Sequence, residues 1–239
     1  MRKLGYKPST LPTEVYKMKK VIIFGLNQFA ELLYFNLKDD IDYEVVAFSV
    51  DEDYKNIESF CEKPVVAFEE IEKVYEPNIH GFFICIGYNK MNQLRKQKFK
   101  EIKAKGYSIM NYTHPTAYVQ TNDIGEGNII MDGVNIGPFT KIGTGNVFYP
   151  KAYIAHHTEV GSFNFFAISV AVAGNVLVGS NCFFGNNCTI KNNIKIDDFT
   201  LIGAAAYLSN DTCSCGEVYA PPRSMKLENK HSLDIDLVK

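Results

Sequence analysis

Five histidines, His80, His114, His156, His157 and His231, are the side chains best suited to exchanging a proton near neutral pH. His80 precedes an apolar run, His114 sits in a turn and His231 lies in the C-terminal tail, so these three read as surface or junction residues. His156 stands apart because Gly174 follows it by 18 residues. In a chain wound in 18-residue coils, that glycine lies directly over the imidazole, about 4.7–4.9 Å away. A base beneath an approachable backbone N–H suits acyl transfer. The imidazole deprotonates an attacking group and the N–H of Gly174 holds the developing oxyanion. His157, as the next residue, is expected on the opposite side of the strand.

The coil itself is legible. Every sixth residue from Tyr118 is apolar: Ile124, Ile130, Ile136, Ile142, Phe148, Ile154, Val160, Phe166, Val172, Val178, Phe184, Ile190, Ile196, Ile202 and Leu208 follow without a break. Glycine or alanine often comes next, as at Gly125, Gly137, Gly143, Ala155, Gly161, Gly179, Gly185 and Gly203. No helix (period 3.6) or alternating strand (period 2) produces a period of six. Three short strands per 18-residue turn do, with the sixth residue pointing to the axis. The expectation is a left-handed parallel β-helix of about five coils, an exception to the right-handed crossover rule. On that register Phe166, Cys182 and Cys188 face inward. The two cysteines then read as small core hydrophobes, not acyl carriers. Phe163 and Phe165 fall off the register and are expected to line a cleft or an intersubunit contact.

Before the coil, apolar strands alternate with helical patterns. VIIF (residues 21–24) ends at Gly25, QFAELLYFNL (28–37) has helical spacing, and YEVVAFSV (43–50) ends in Asp51. PVVAF (64–68), FFICIG (82–87) and YSIMN (107–111) continue the series, with a basic helix over 89–105. This predicts a small doubly wound parallel sheet, an α/β Rossmann-like domain. The expected organisation is an extension over 1–17, the Rossmann-like domain over 18–112, the β-helix over 113–226 and a tail over 227–239. The 239 residues suffice for two cores.

With 25 Lys+Arg against 27 Asp+Glu, the formal charge is −2, which disfavours nucleic acid and anionic membrane surfaces as partners. No apolar run approaches the roughly 18–20 residues of a membrane span, and the N-terminus has no signal-peptide core. The six cysteines include no CxxC pair. Disulfides and zinc are therefore not expected, and a cytoplasmic setting is.

Several motifs in order resemble the hexapeptide-repeat acyltransferases, in particular the branch that carries a Rossmann-like N-terminal domain and acetylates sugars (sialic acid O-acyltransferase-like proteins and nucleotide-amino-sugar N-acetyltransferases of the bacillosamine type). They are VIIFG, the CIG of 85–87, the HPTA of 114–117, IAHHTEVG (154–161), AGNVLVGSNCFFGNNC (173–188) and YAPPRSM (219–225). The resemblance implies acetyl-CoA as co-substrate, no metal, a homotrimer with its sites in clefts between neighbouring coils, and surface glycan synthesis. It aligns His156 with the family's catalytic histidine. Relatives often have an acidic residue next; His157 stands there, so either another residue orients His156 or His157 itself contacts acceptor or cofactor. Gly203 and Ala204 are small enough to let a pantetheine arm pass, and Arg223 suits a CoA phosphate. The turn Gly25-Leu26-Asn27-Gln28-Phe29-Ala30 lacks the GxGxxG fingerprint, which disfavours NAD. A nucleotide-linked sugar remains the expected ligand there, near Gly25, Asn27, Gln28 and Asp51, with the helix N-terminus holding a phosphate.

The favoured activity is therefore N-acetylation of a nucleotide-linked amino sugar. The alternatives are O-acetylation of a sugar hydroxyl and a non-catalytic β-solenoid binding module. A zinc-dependent enzyme on the same coil needs three converging histidines, and His114 and His156 are more than two coils apart.

Overall fold

The computed structural model describes residues 18–221; the extension over 1–17, Arg223, His231 and the tail over 227–239 lie outside the described residues. Two compact units emerge. One comprises residues 18–85 with 101–109, the other residues 86–100 with 110–221.

The first unit is built on a six-stranded sheet. Its elements are β1 (Lys19–Phe24), α1 (Gln28–Leu37), β2 (Tyr43–Val50), β3 (Ser59–Phe60), β4 (Lys63–Ala67), α2 (Ile71–Val74), β5 (His80–Ile84), α3 (Gln93–Ala104, which belongs to the second unit up to Lys100) and β6 (Ser108–Ile109). The strand order is β3-β4-β2-β1-β5-β6, parallel except for the short β3–β4 pair. β1 lies between β2 and β5, and Val21, Ile22 and Ile23 on it are fully buried, as a strand covered on both faces requires. α1 starts at Asn27, whose side chain accepts from the Phe29 and Ala30 N–H groups, and buries Phe29, Ala30, Leu33 and Leu37 along one stripe.

The second unit is a three-sided parallel β-helix of two-residue strands. Its faces are sheets of six, four and seven strands. Neighbouring strands on a face pair 18 residues apart: Ile136 with Ile154, Val160 with Val178, Phe166 with Phe184. The sixth-residue positions from Ile130 to Leu208 are buried. Tyr118 is not; it is 60% exposed. It pairs with Asn135, so the first turn is one residue short and Val119 takes the place opposite Ile136.

Inside the coil Phe148, Phe166 and Phe184 stack at 4.8 and 4.5 Å, with planes within 7°. Beside them runs an amide ladder. Asn128 accepts from the Asn146 N–H at 2.9 Å, Asn146 from that of Asn164 at 2.8 Å, and Asn164 from that of Cys182 at 2.7 Å. The corners use left-handed residues, with φ near +60° at Phe139, His157, Asn175 and Asn193 along one edge.

Residues 86–100 group with the coil, not with the sheet that precedes them in the chain. Arg95, 1% exposed, donates to the carbonyls of Ile86, Gly87, Gly145 and Asn164 at 3.0–3.1 Å. Lys90, Met91 and Asn92 form a left-handed turn, which delays the basic helix to Gln93, later than the expected Asn89. Two amides hold that turn: Asn92 donates to the Cys182 carbonyl at 2.9 Å and Asn181 to the Met91 carbonyl at 3.1 Å. Phe163 and Phe165, expected at a cleft or contact, are instead covered by this segment. Phe163 packs on Phe99, and Phe165 on Tyr88. Among the described residues no helix is long and apolar enough to cross a membrane.

Candidate active site

His156 and His157 occupy the corner between Tyr153–Ile154, on the six-stranded face, and Glu159–Val160, on the four-stranded face. Both are exposed. One coil on, Gly174 lies against the His156 imidazole. A Cβ built on it would stand 2.7 Å from Cε1, 3.0 Å from Nε2 and 3.1 Å from Nδ1 of the ring. A contact under 3 Å is one that a real side chain does not make, so only glycine leaves the ring where it is. The Gly174 carbonyl accepts from the Asn193 N–H at 3.1 Å, while its own N–H donates to no group among the described residues.

His157 does not point away from its neighbour. The two Nδ1 atoms are 3.0 Å apart, and the rings meet edge to face at 5.2 Å. The reason is the corner: His157 has φ of +57°, and a left-handed residue abolishes the strand alternation that would separate the two side chains. The His157 ring also lies on Phe139, with centroids 4.7 Å apart, and the His157 backbone N–H donates to the Pro138 carbonyl at 3.1 Å. Nothing in residue type marks Phe139 as part of this corner. The signal was its position, 18 residues before His157.

The other expected positions lie elsewhere. Gly203 and Ala204 follow Leu201–Ile202 of the seven-stranded face, so within one chain they sit on a different edge from His156. Gly203 donates to the Tyr219 carbonyl at 2.7 Å, and a Cβ there would reach that oxygen at 3.1 Å. The Tyr219 hydroxyl donates to Glu217, which pushes the phenol up to about 12 and draws the carboxyl down. Cys182 and Cys188 are fully buried, and burial pushes both thiols up to about 12. A thiol so rarely ionised is a poor acyl acceptor. His80 bonds the Glu76 carbonyl at 3.0 Å and His114 the Thr116 hydroxyl at 2.9 Å, both local turn contacts. No group of three His, Cys, Asp or Glu residues able to hold a metal occurs among the described residues.

In the sheet unit, Gly25, Asn27, Gln28 and Asp51 share the carboxyl ends of β1, β2 and β5, where open parallel sheets place ligands. Gly25 has φ of +128°, and a Cβ on it would lie 2.8 Å from the Cys85 carbonyl oxygen. Asn27 accepts from two N–H groups of α1 and donates to the same Cys85 oxygen at 2.9 Å. Its polar atoms therefore hold the turn together. Gln28 is exposed and Asp51 half-buried.

No protein-family model and no curated protein matches the chain. Solved structures do. The acetyltransferase domain of PglB from Neisseria gonorrhoeae matches with a TM-score of 0.74 at 18% identity, covering 84% of this chain and 95% of that one. The same domain in complex with acetyl coenzyme A gives 0.69 at 17% identity, covering 82% and 93%. PerB from Caulobacter crescentus, in complex with CoA and GDP-perosamine, gives 0.69 at 23% identity, covering 84% and 91%. The chain thus has the fold of the hexapeptide-repeat sugar acyltransferases.

Proposed function

We propose that the protein transfers acetyl from acetyl-CoA to the amino group of a nucleotide-linked amino sugar. The observation that carries the reading is the imidazole of His156 beneath the bare main chain of Gly174. Nε2 of His156 takes the proton as the amine attacks the acetyl carbonyl. The Gly174 N–H receives the oxyanion of the tetrahedral intermediate. Collapse of that intermediate expels the CoA thiolate, and the imidazolium returns the proton to it. Buried, un-ionised Cys182 and Cys188 leave direct transfer as the simpler route.

The rest of the reading follows the likeness of fold. A left-handed β-helix of about five 18-residue coils (113–226) forms a homotrimer, and the edge carrying His156 in one chain meets Gly203 and Ala204 of a neighbour, which line the path of the pantetheine arm. Arg223 binds a CoA phosphate. The Rossmann-like domain (18–112) receives the nucleotide at Gly25, Gln28 and Asp51, in a turn held by Asn27. The setting is cytoplasmic and the product serves surface glycan synthesis. PerB, whose complex contains GDP-perosamine, and the PglB domain with acetyl coenzyme A support this choice of substrates.

The test is thiol release from acetyl-CoA with a panel of UDP-, dTDP- and GDP-linked amino sugars and their hydroxyl analogues. One amino sugar should turn over, and His156→Ala should lower that turnover by about 10²–10⁴-fold without changing the oligomer seen by light scattering. Release only with hydroxyl acceptors would overturn the amine assignment. Absence of both acetyl-CoA binding and release would overturn the enzyme, and full activity in His156→Ala would remove His156 from the mechanism.

A further inference from the structure

The corner holds two imidazoles, and the reaction needs only one base. Their Nδ1 atoms are 3.0 Å apart, a hydrogen-bond distance. Such a bond between two neutral rings requires one proton, carried by one Nδ1 and accepted by the other. The arrangement therefore couples the tautomers. If His156 carries the Nδ1 proton, its Nε2 is a bare lone pair beside Gly174. If His157 carries it, His156 presents an Nε2–H there and has no base to offer.

We propose that His157 is the positioning residue of the site. It accepts the His156 Nδ1–H and so holds the His156 Nε2 lone pair toward the Gly174 notch. The proposal rests on the acetyl-transfer reading for its purpose, but its geometry does not depend on it. Two contacts and a backbone angle fix His157 for the task. Its ring lies against Phe139, its backbone N–H donates to the Pro138 carbonyl, and its left-handed φ turns the side chain back toward its neighbour. The bond also strengthens during the reaction. As His156 takes the amine proton and becomes imidazolium, its Nδ1–H donates as a charged group to a neutral acceptor, and charge-assisted bonds are roughly twice as strong as neutral ones. An imidazole acceptor thus orients the base through its second nitrogen, as a carboxylate does in hydrolytic triads.

The test uses His157→Phe and His157→Glu. Phenylalanine keeps a ring against Phe139 and removes the acceptor. The coil already carries phenylalanine at equivalent left-handed corners, Phe139, Phe163 and Phe199, with φ of +62°, +59° and +59°, so this variant is expected to fold. Nitrogen-15 shifts of the imidazoles in the full-length protein should show His156 as the Nδ1–H tautomer in the wild type, with that preference lost in His157→Phe. The kcat of His157→Phe should fall about 10–100-fold, the range seen when a group that orients a metal-ligating histidine is removed, with little change in KM for acetyl-CoA. His157→Glu, which restores an acceptor, should recover most of it.

A wild-type His156 protonated on Nε2, or a His156 tautomer and kcat unchanged in His157→Phe, would overturn the proposal while leaving the His156 reading intact. The spectra need no turnover. If no acceptor sugar is ever found, they still decide the tautomer question by themselves.

Discussion

At the scale of single residues, the site depends on a side chain that is missing. The imidazole of His156 fills the space that a Cβ on Gly174 would need, with Cε1 only 2.7 Å from that point. Gly174 is not at a positive φ, so alanine suits its backbone and offends only the ring. Gly174→Ala should therefore leave the thermal melt nearly unchanged yet lower kcat about 10²-fold, since a displacement of about 1 Å at a reacting group has that effect. Circular dichroism and steady-state kinetics on the same preparation check this. Unchanged kcat would mean that the ring works from another position. The vertical pair His156 and Gly174 was legible because arithmetic on an 18-residue coil needs no knowledge of side-chain direction. The lateral pair His156 and His157 was not. Strand alternation separates adjacent residues, and only the left-handed corner at His157 reverses that.

At the scale of elements, one buried cation is among the ties that group the segment over residues 86–100 with the coil, beside the Asn92 and Asn181 amides and the Phe99 and Tyr88 rings. Arg95 supplies donors to four carbonyls, from Ile86, Gly87, Gly145 and Asn164. Arg95→Met keeps much of the stem and strips the Ile86, Gly87 and Gly145 carbonyls of this donor, while the Asn164 carbonyl keeps the Val147 N–H at 3.0 Å. The expected loss is about 3 kcal/mol of unfolding free energy, from buried carbonyls left without partners. Urea denaturation measures it, and a loss below about 0.5 kcal/mol would show that water replaces the guanidinium without penalty. The sequence predicted a basic helix here correctly in kind, since α3 spans Gln93–Ala104. It could not show what the helix packs on, because the partners of Arg95 are main-chain oxygens, which every residue has. The asparagine ladder did leave a signal: Asn128, Asn146 and Asn164 recur at the coil period, a polar series beside the apolar one.

At the scale of the molecule, a coil stacks each turn only on its neighbours, so its stability is the sum of repeat and interface terms. Phe166 lies in the middle of the internal stack, between Phe148 and Phe184. Its removal damages two interfaces at once. Phe166→Ala should cost about 3–5 kcal/mol, read as a lower urea midpoint. A cost under about 1 kcal/mol would mean that the neighbouring rings collapse into the space. The period of six made this core readable residue by residue from Ile130 to Leu208. It failed at Tyr118, where a turn one residue short moves the inward position to Val119, because a strict period cannot foresee a shortened entry. In the sheet unit, α1 and β2 fall where hydrophobic spacing put them.

The corners also decide how the protein ages. Deamidation of asparagine begins when the N–H of the following residue attacks the side-chain amide. After Asn175, Asn181 and Asn187 that N–H is already committed, to the Thr158 hydroxyl at 3.3 Å, the Asn164 amide oxygen at 2.7 Å and the Gly185 carbonyl at 3.2 Å. The residues that follow them are Val176, Cys182 and Cys188, none of them the unhindered glycine that favours ring closure. A chain so rich in asparagine at its bends is thus chemically durable at these three, protected at two of them by side chains of the preceding coil and at the third by a main-chain bond within the turn.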